Sequence, residues 1–208
     1  MTYIIDKIKS ISRTQIFALI LIIIGLAIMI PKGRGMLDFY KEVQYAKEHN
    51  FKAGNLSPDL LRPWMTIRYI SVAYAVPQKY LFDAANIQPR KENSMIALNR
   101  LNSQMGLGVA NGHPVLMDLI RAAIIKYRAN PVVTGLIERK VTDWMSVQYI
   151  ANSTGIPAET IFQDLGIPMD GNAYLPLNAL STTVNYSGGP RKLVLDIQKI
   201  VDSHAAQP

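Results

Sequence analysis

Residues 64 to 87 read WMTIRYISVAYAVPQKYLFDAANI, and residues 144 to 167 read WMSVQYIANSTGIPAETIFQDLGI. Laid over one another without a gap, Trp64, Met65, Ile70, Val76, Pro77, Phe82 and Ile87 meet Trp144, Met145, Ile150, Ile156, Pro157, Phe162 and Ile167. The likeness runs on: NSMIALNRL from Asn93 answers NAYLPLNAL from Asn172, and a helix opening at Pro114 answers one opening at Pro190 after a shorter loop. A self-match this long means one supersecondary unit written twice.

Each copy has the periodicity of helices. Ile67, Ile70, Ser71 and Tyr74, like Val147, Ile150, Ala151 and Thr154, recur at i, i+3, i+4 and i+7 and so share one helical face. A turn follows at Ala75 or Gly155, where glycine suits the left-handed conformation of a tight helix exit. Pro77 and Pro157 open a second helix that turns Leu81, Phe82 and Ala85, or Ile161, Phe162 and Leu165, inward. A short third element carries Leu98 and Leu101, or Leu177 and Leu180. A longer last helix carries Leu116, Leu119, Ile120, Ala123, Ile124 and Tyr127, or Leu193, Ile197, Ile200 and Val201. No segment alternates with period two, so almost no sheet is expected.

Ahead of the repeats, the run from Thr14 to Ile30, TQIFALILIIIGLAIMI, carries no charge. It has about the minimum length that spans a hydrocarbon core of ~30 Å. Lys7, Lys9 and Arg13 before it resemble the basic region of a secretory signal. The following PKGRGMLD offers no small-x-small cleavage site, so the run is expected to be an uncleaved anchor. Basic residues flank both ends of the run; a short basic N-terminus followed by a long chain favours an extracytoplasmic main domain in a bacterial inner membrane. MLDFYKEVQYAKEHNF then places Phe39, Val43 and Ala46 at helical spacing, and Ser57 with Pro58 marks the start of the globular part. The expected architecture is all-α, with one N-terminal transmembrane helix followed by two tandem small helix-turn-helix-like domains. Its bounds are 1–31 for the N-terminal segment and anchor, 32–60 for the juxtamembrane helix and linker, 61–130 for copy one and 138–203 for copy two.

Composition leaves the partner open. The net charge of +7 would suit nucleic acid, anionic lipid or an acidic protein. With no cysteine in the chain, disulfides and thiolate metal sites are excluded. YIANSTGIPAETIFQDLG has the pattern of a helix-turn-helix, with Ala151 and Gly155 ahead of an apolar pair in the second helix. A recognition helix needs side chains that reach phosphates and base edges. Residues 157 to 165 offer Glu159 and Asp164 with no Arg or Lys, and residues 77 to 85 set Lys79 against Asp83, so binding to nucleic acid is not expected.

Catalytic signals are equally thin. His49, His113 and His204 never share a helical face as a metal pair would. GLGVANGHP, residues 106 to 114, follows a leucine-bearing helix instead of a strand and lacks the spacing of a phosphate loop; its counterpart NYSGGPRK holds the same place in copy two, so both are expected to be plain loops. No carboxylate pair or nucleophile elbow is present, and neither enzymatic activity nor a cofactor is expected. Trp64 with Met65, and Trp144 with Met145, either plug the first helix of each unit against the rest or serve as partner-binding anchors. Arg62 before the first pair and Asp143 before the second mark where the copies differ in charge.

Taken together, the W-M-T/S start, the helix, the G-I/V-P turn, the second helix and the closing leucine element resemble a small helical module attached to bacterial integral membrane redox proteins, cytochrome-b-like and polyferredoxin-type chains among them. The resemblance covers most of residues 61 to 202, and none of its motifs is catalytic. This chain departs from the pattern at Ala75 and Asn86, where glycine is usual, and carries no haem or cluster ligands. The resemblance therefore implies a docking or assembly module beside a membrane complex; the expected role is a non-enzymatic accessory subunit binding subunits of such a complex, of electron-transfer or light-harvesting kind. A membrane-tethered transcriptional regulator is the competing expectation.

Overall fold

The computed structural model describes residues 56–137 and 139–205. The run 14–30, the expected juxtamembrane helix and His49 lie outside the described residues. Among the described residues no helix is long and apolar enough to cross a membrane.

The described residues belong to one compact unit, Phe51–Pro208, and are mostly helical. A 3-10 turn, Pro58–Leu60, precedes α1 (Ile67–Ala73), α2 (Gln78–Ala84), the single turn α3 (Lys91–Ser94), α4 (Leu98–Gln104), the two-residue strands β1 (Val109–Ala110) and β2 (His113–Pro114), and the long α5 (Val115–Ala129). The second copy contributes α6 (Val147–Thr154), α7 (Ala158–Leu165), α8 (Leu177–Thr183) and the long α9 (Gly189–Ala205). The first two helices of each copy thus start at matching residues, and those of copy two end one residue later.

The same side chains turn inward in both. Ile67, Ile70, Leu81, Phe82, Leu98, Leu116 and Ile120 are buried in copy one, and Val147, Ile150, Ile161, Phe162, Leu177, Leu193 and Ile197 in copy two. Each such side chain contributes about 1.5–3 kcal/mol when removed from water. Helices this short are marginal alone, so it is this packing that holds them helical.

The exits from the short helices repeat as well. Gly155 at φ +82° ends α6 and Gly166 at φ +65° ends α7, while Ala75 at φ +52° and Asn86 at φ +54° take the same left-handed turns in copy one. Asparagine tolerates this region; alanine adopts it at a cost of roughly 1 kcal/mol because its Cβ crowds the following carbonyl. The packing of copy one imposes the turn on a residue that would otherwise avoid it.

Three details differ from the sequence expectation. Residues 106–114 are not a plain loop: β1 and β2 pair antiparallel, Val109 with Pro114 and Ala110 with His113, across a turn with Asn111 and Gly112 both at positive φ. Leu119 is not in the core. The buried stripe of α5 runs through Leu116, Met117, Ile120, Ala123, Ile124 and Tyr127, which leaves Leu119 on the outward side, 38% exposed. The third difference is α3, a single turn formed where no helix was expected.

Candidate functional site

The Trp-Met segments are structural stitches before they are anything else. Thr66 and Ser146 sit in extended geometry, and their hydroxyls accept the amides of Tyr69 and Tyr149 at 3.1 and 3.2 Å, capping α1 and α6. One residue earlier, the Met65 and Met145 carbonyls accept the amides of Leu98 and Leu177 at 2.9 and 2.8 Å. The amides of Asn99 and Asn178 reach the carbonyls of Pro63 and Asp143 at 2.9 and 3.0 Å. The start of α1 is thereby tied to the start of α4, and that of α6 to that of α8, through isolated bridges Thr66 with Ala97 and Ser146 with Pro176. A tie of this kind needs extended backbone, which is why W-M-T/S precedes the helix in both copies.

The proposed anchor residues divide on burial. Met65 and Met145 are core side chains, 0% and 6% exposed, so they are plugs and offer a partner no surface. Trp64 and Trp144 are half-buried, each with its ring centroid 5.5 Å from a tyrosine of the following helix, Tyr69 or Tyr149. Arg62 uses its guanidinium on the preceding turn, donating to the carbonyls of Asp59 and Leu61 at 3.0 and 2.9 Å. Of the five, Arg62, Trp64 and Trp144 keep part of their surface and the two methionines do not.

Trp144 is instead part of the contact between the copies. The Arg68 guanidinium lies 4.7 Å from the centre of its ring, a cation–π geometry. The Asn152 amide donates to the Ala75 carbonyl at 2.6 Å, and is itself oriented by Gln148, whose amide reaches the Asn152 Oδ1 at 2.9 Å. Behind these, Tyr149 is 2% exposed, and burial pushes its phenol up to about 12, against the opposing hydrogen bonds from the Gln78 backbone and Ser153. The Gln78 side chain is buried beside this contact with its Nε2 unpaired. The linker adds a further tie: the Gly135 amide donates to the Ser153 carbonyl at 2.7 Å. Val133 lies so close to Gly155 that a Cβ there would meet it at 3.2 Å. An open cleft of about 320 Å³ remains between Tyr127, Val132, Val133 and the Gln148, Asn152 and Glu159 side of copy two.

Of these contact residues the sequence singles out Trp144 as a plug or partner anchor and Ala75 and Gly155 as turn positions, but not as a contact between the copies. A signal existed: Arg68 and Gln148, Val72 and Asn152, Ala75 and Gly155 occupy equivalent places yet differ in chemistry, as residues must when one copy docks on the other.

A second polar cluster clamps the hairpin to α5. The His113 ring meets the Asn111 carbonyl at 3.0 Å through Nδ1 and Asp118 Oδ1 at 2.8 Å through Nε2. Arg121 reaches the same carboxylate oxygen at 2.5 Å and sits 3.6 Å from Asp59. The hydrogen bond from His113, followed by the charges of His113 and Arg121, holds the Asp118 carboxyl below its ordinary value. Among the described residues no group of three or more histidine, aspartate or glutamate side chains is arranged to hold a metal ion.

The helices in the recognition position carry no arginine, and their one lysine is paired. α7 exposes Glu159, Gln163 and Asp164, and on α2 the Lys79 ammonium is taken up by Asp83 at 2.7 Å. No family model, curated protein or solved structure matches the chain.

Proposed function

We propose that the chain is a membrane-anchored, non-enzymatic accessory subunit that docks to an integral membrane complex through its duplicated helical units. One observation carries this reading. The two units share their scaffold down to single hydrogen bonds, those of Thr66 and Ser146, Leu98 and Leu177, Asn99 and Asn178, while their outer faces have diverged. Duplicated scaffolds with divergent surfaces suit a protein whose work is done at contacts; a catalyst would need convergent polar groups in a shared cavity.

The apolar run 14–30 supports attachment to the membrane as a single-pass anchor, and the resemblance of both units to modules on membrane redox proteins supports a partner of electron-transfer kind, with a light-harvesting complex as the other membrane assembly of the proposal. The chain needs no cofactor of its own for this role. The acidic exposed face of α7 weighs against a tethered transcriptional regulator, because phosphates repel it.

The test uses the tagged full chain, extracted in mild detergent. The reading expects membrane protein subunits to co-elute at fixed stoichiometry, and to bring the chain down when they carry the tag. A chain that elutes alone and monomeric would remove the support for it. A topology reporter fused after Pro208 separates the rival: activity on the extracytoplasmic side excludes DNA binding, whereas cytoplasmic activity together with sequence-selective DNA retention would favour the regulator.

A further inference from the structure

The long helix of copy one has an outward face from which only Asp118 is drawn into its own fold, through His113 and Arg121. Helical geometry places Asp118, Leu119, Ile125 and Lys126 within about 60° of a line through Ala122, opposite the buried stripe of α5. Leu119 and Ile125 on this face are 38% and 55% exposed. Among the described residues they are two of seven exposed large hydrophobic side chains; Val109 on β1 and Val132 and Val133 in the linker are three others.

Copy two supplies the internal control. Matching the buried Leu116 and Ile120 to Leu193 and Ile197 sets Leu119, Ala122 and Ile125 against Asp196, Lys199 and Asp202 of α9. That face carries ion pairs of its own, Lys192 with Asp196 at 2.5 Å and Lys199 with Asp196 at 3.6 Å, beside one exposed leucine, Leu195. The same scaffold therefore stands with a mostly charged face, and nothing in the fold demands two apolar side chains, Leu119 and Ile125, on that of α5.

We propose that α5 is a self-association surface, pairing antiparallel with α5 of a second copy of this chain about a two-fold axis through Ala122. The face is complementary to itself under that operation. Ala122 at the axis is small enough for the helices to approach within about 8–10 Å. Leu119 then faces Ile125 of the second copy, and Asp118 faces its Lys126. Lys126 has no ion pair among the described residues, and the Asp118 carboxylate, whose Oδ1 is engaged by His113 and Arg121, keeps its other oxygen for that lysine. An isologous contact of this type closes at the dimer. One helix pair buries less than the ~1,000 Å² expected of a strong interface, so the association is of moderate strength and is best read by trapping.

This inference stands apart from the docking role, and its test does not need the partner complex. The chain has no cysteine, so a single Ala122→Cys in the full chain, in mild detergent, places one thiol from each copy at the axis. Mild oxidation is expected to give a disulfide-linked dimer. The matched control Lys199→Cys on α9 should cross-link at least about tenfold less, and Ile125→Lys or Lys126→Glu added to Ala122→Cys should lower dimer yield by a similar factor. All of these positions lie on exposed helix surface, and unchanged circular dichroism establishes that the variants fold. Equal cross-linking of the two cysteines would overturn the proposal. So would Ala122→Cys staying monomeric, trapping a different polypeptide, or being shielded from thiol reagents by lipid without forming a dimer.

Discussion

The two copies are one scaffold carrying two surfaces. Their caps, bridges and core leucines coincide, so the parts that differ are those the fold leaves free. The comparison teaches where selection for stability ends: at Leu98 and Leu177 the copies agree, whereas at Leu119 and Asp196, or Arg68 and Gln148, they have parted. Copy one holds an apolar outward helix face and two left-handed turns without glycine. Copy two holds a charged face and glycine at both turns.

The largest expected effects test the sameness. Leu98→Ala and Leu177→Ala each remove a side chain with 0% exposure. Each should cost about 2–5 kcal/mol, with the two values within about 1 kcal/mol of each other if the scaffolds are equivalent. Denaturant unfolding measures both, and a large disparity would mean that one copy carries the other.

The turns sharpen the difference, with opposite signs. Ala75→Gly should stabilise by about 0.5–1 kcal/mol, because it releases a left-handed alanine. Gly155→Ala should destabilise by about 1–2 kcal/mol, since it imposes that strain; its Cβ would also press on Val133 at 3.2 Å. Melting curves that move the same way for both would refute the equivalence of the two turns.

The contact between the copies is smaller in energy. A double-mutant cycle on Arg68→Ala and Trp144→Phe should return a coupling of roughly 0.5–1 kcal/mol, as for a cation–π pair that is only partly desolvated. No coupling would mean that the guanidinium merely rests on the ring.

Smallest in effect at neutral pH is the titration of Tyr149. Its phenol is raised to about 12 by burial, so the neutral form is the one the fold favours. The stabilisation is complete below the unfolded value of about 10 and is lost as pH rises from there toward 12. Tyr149→Phe should flatten stability over that alkaline window, while Tyr69→Phe, at the equivalent half-exposed place, should leave most of it. If neither changes the window, the buried phenol does not set it.

The helical architecture was legible because its signals are local: apolar spacing for α1 and α6, proline before α2 and α7, and Ser or Thr at the caps. The placement of Leu119 was not, because it borders the apolar stripe and only the angle at which α5 meets its neighbours decides its side. The hairpin at 109–114 was missed for a related reason. It is two residues long on each strand, too short for alternation to register, and is held by the His113, Asp118 and Arg121 cluster, which folding assembles. Trp64 and Trp144 were legible as a matched pair, but their different surroundings were not, since Arg68 reaches Trp144 from the other copy.

The most direct test of the central claim, that the copies share a scaffold and work through the surfaces where they differ, transplants one face onto the other. Leu119→Asp, Ala122→Lys and Ile125→Asp together give α5 the outward residues of α9. Native mass measurement of this full-length variant in mild detergent, beside the parent, is expected to show assemblies of the parent above the 23.2 kDa of one chain that the variant fails to form, with its melting curve shifted by no more than about 0.5 kcal/mol per site. A folded variant that keeps the parent's full set of masses would contradict the account.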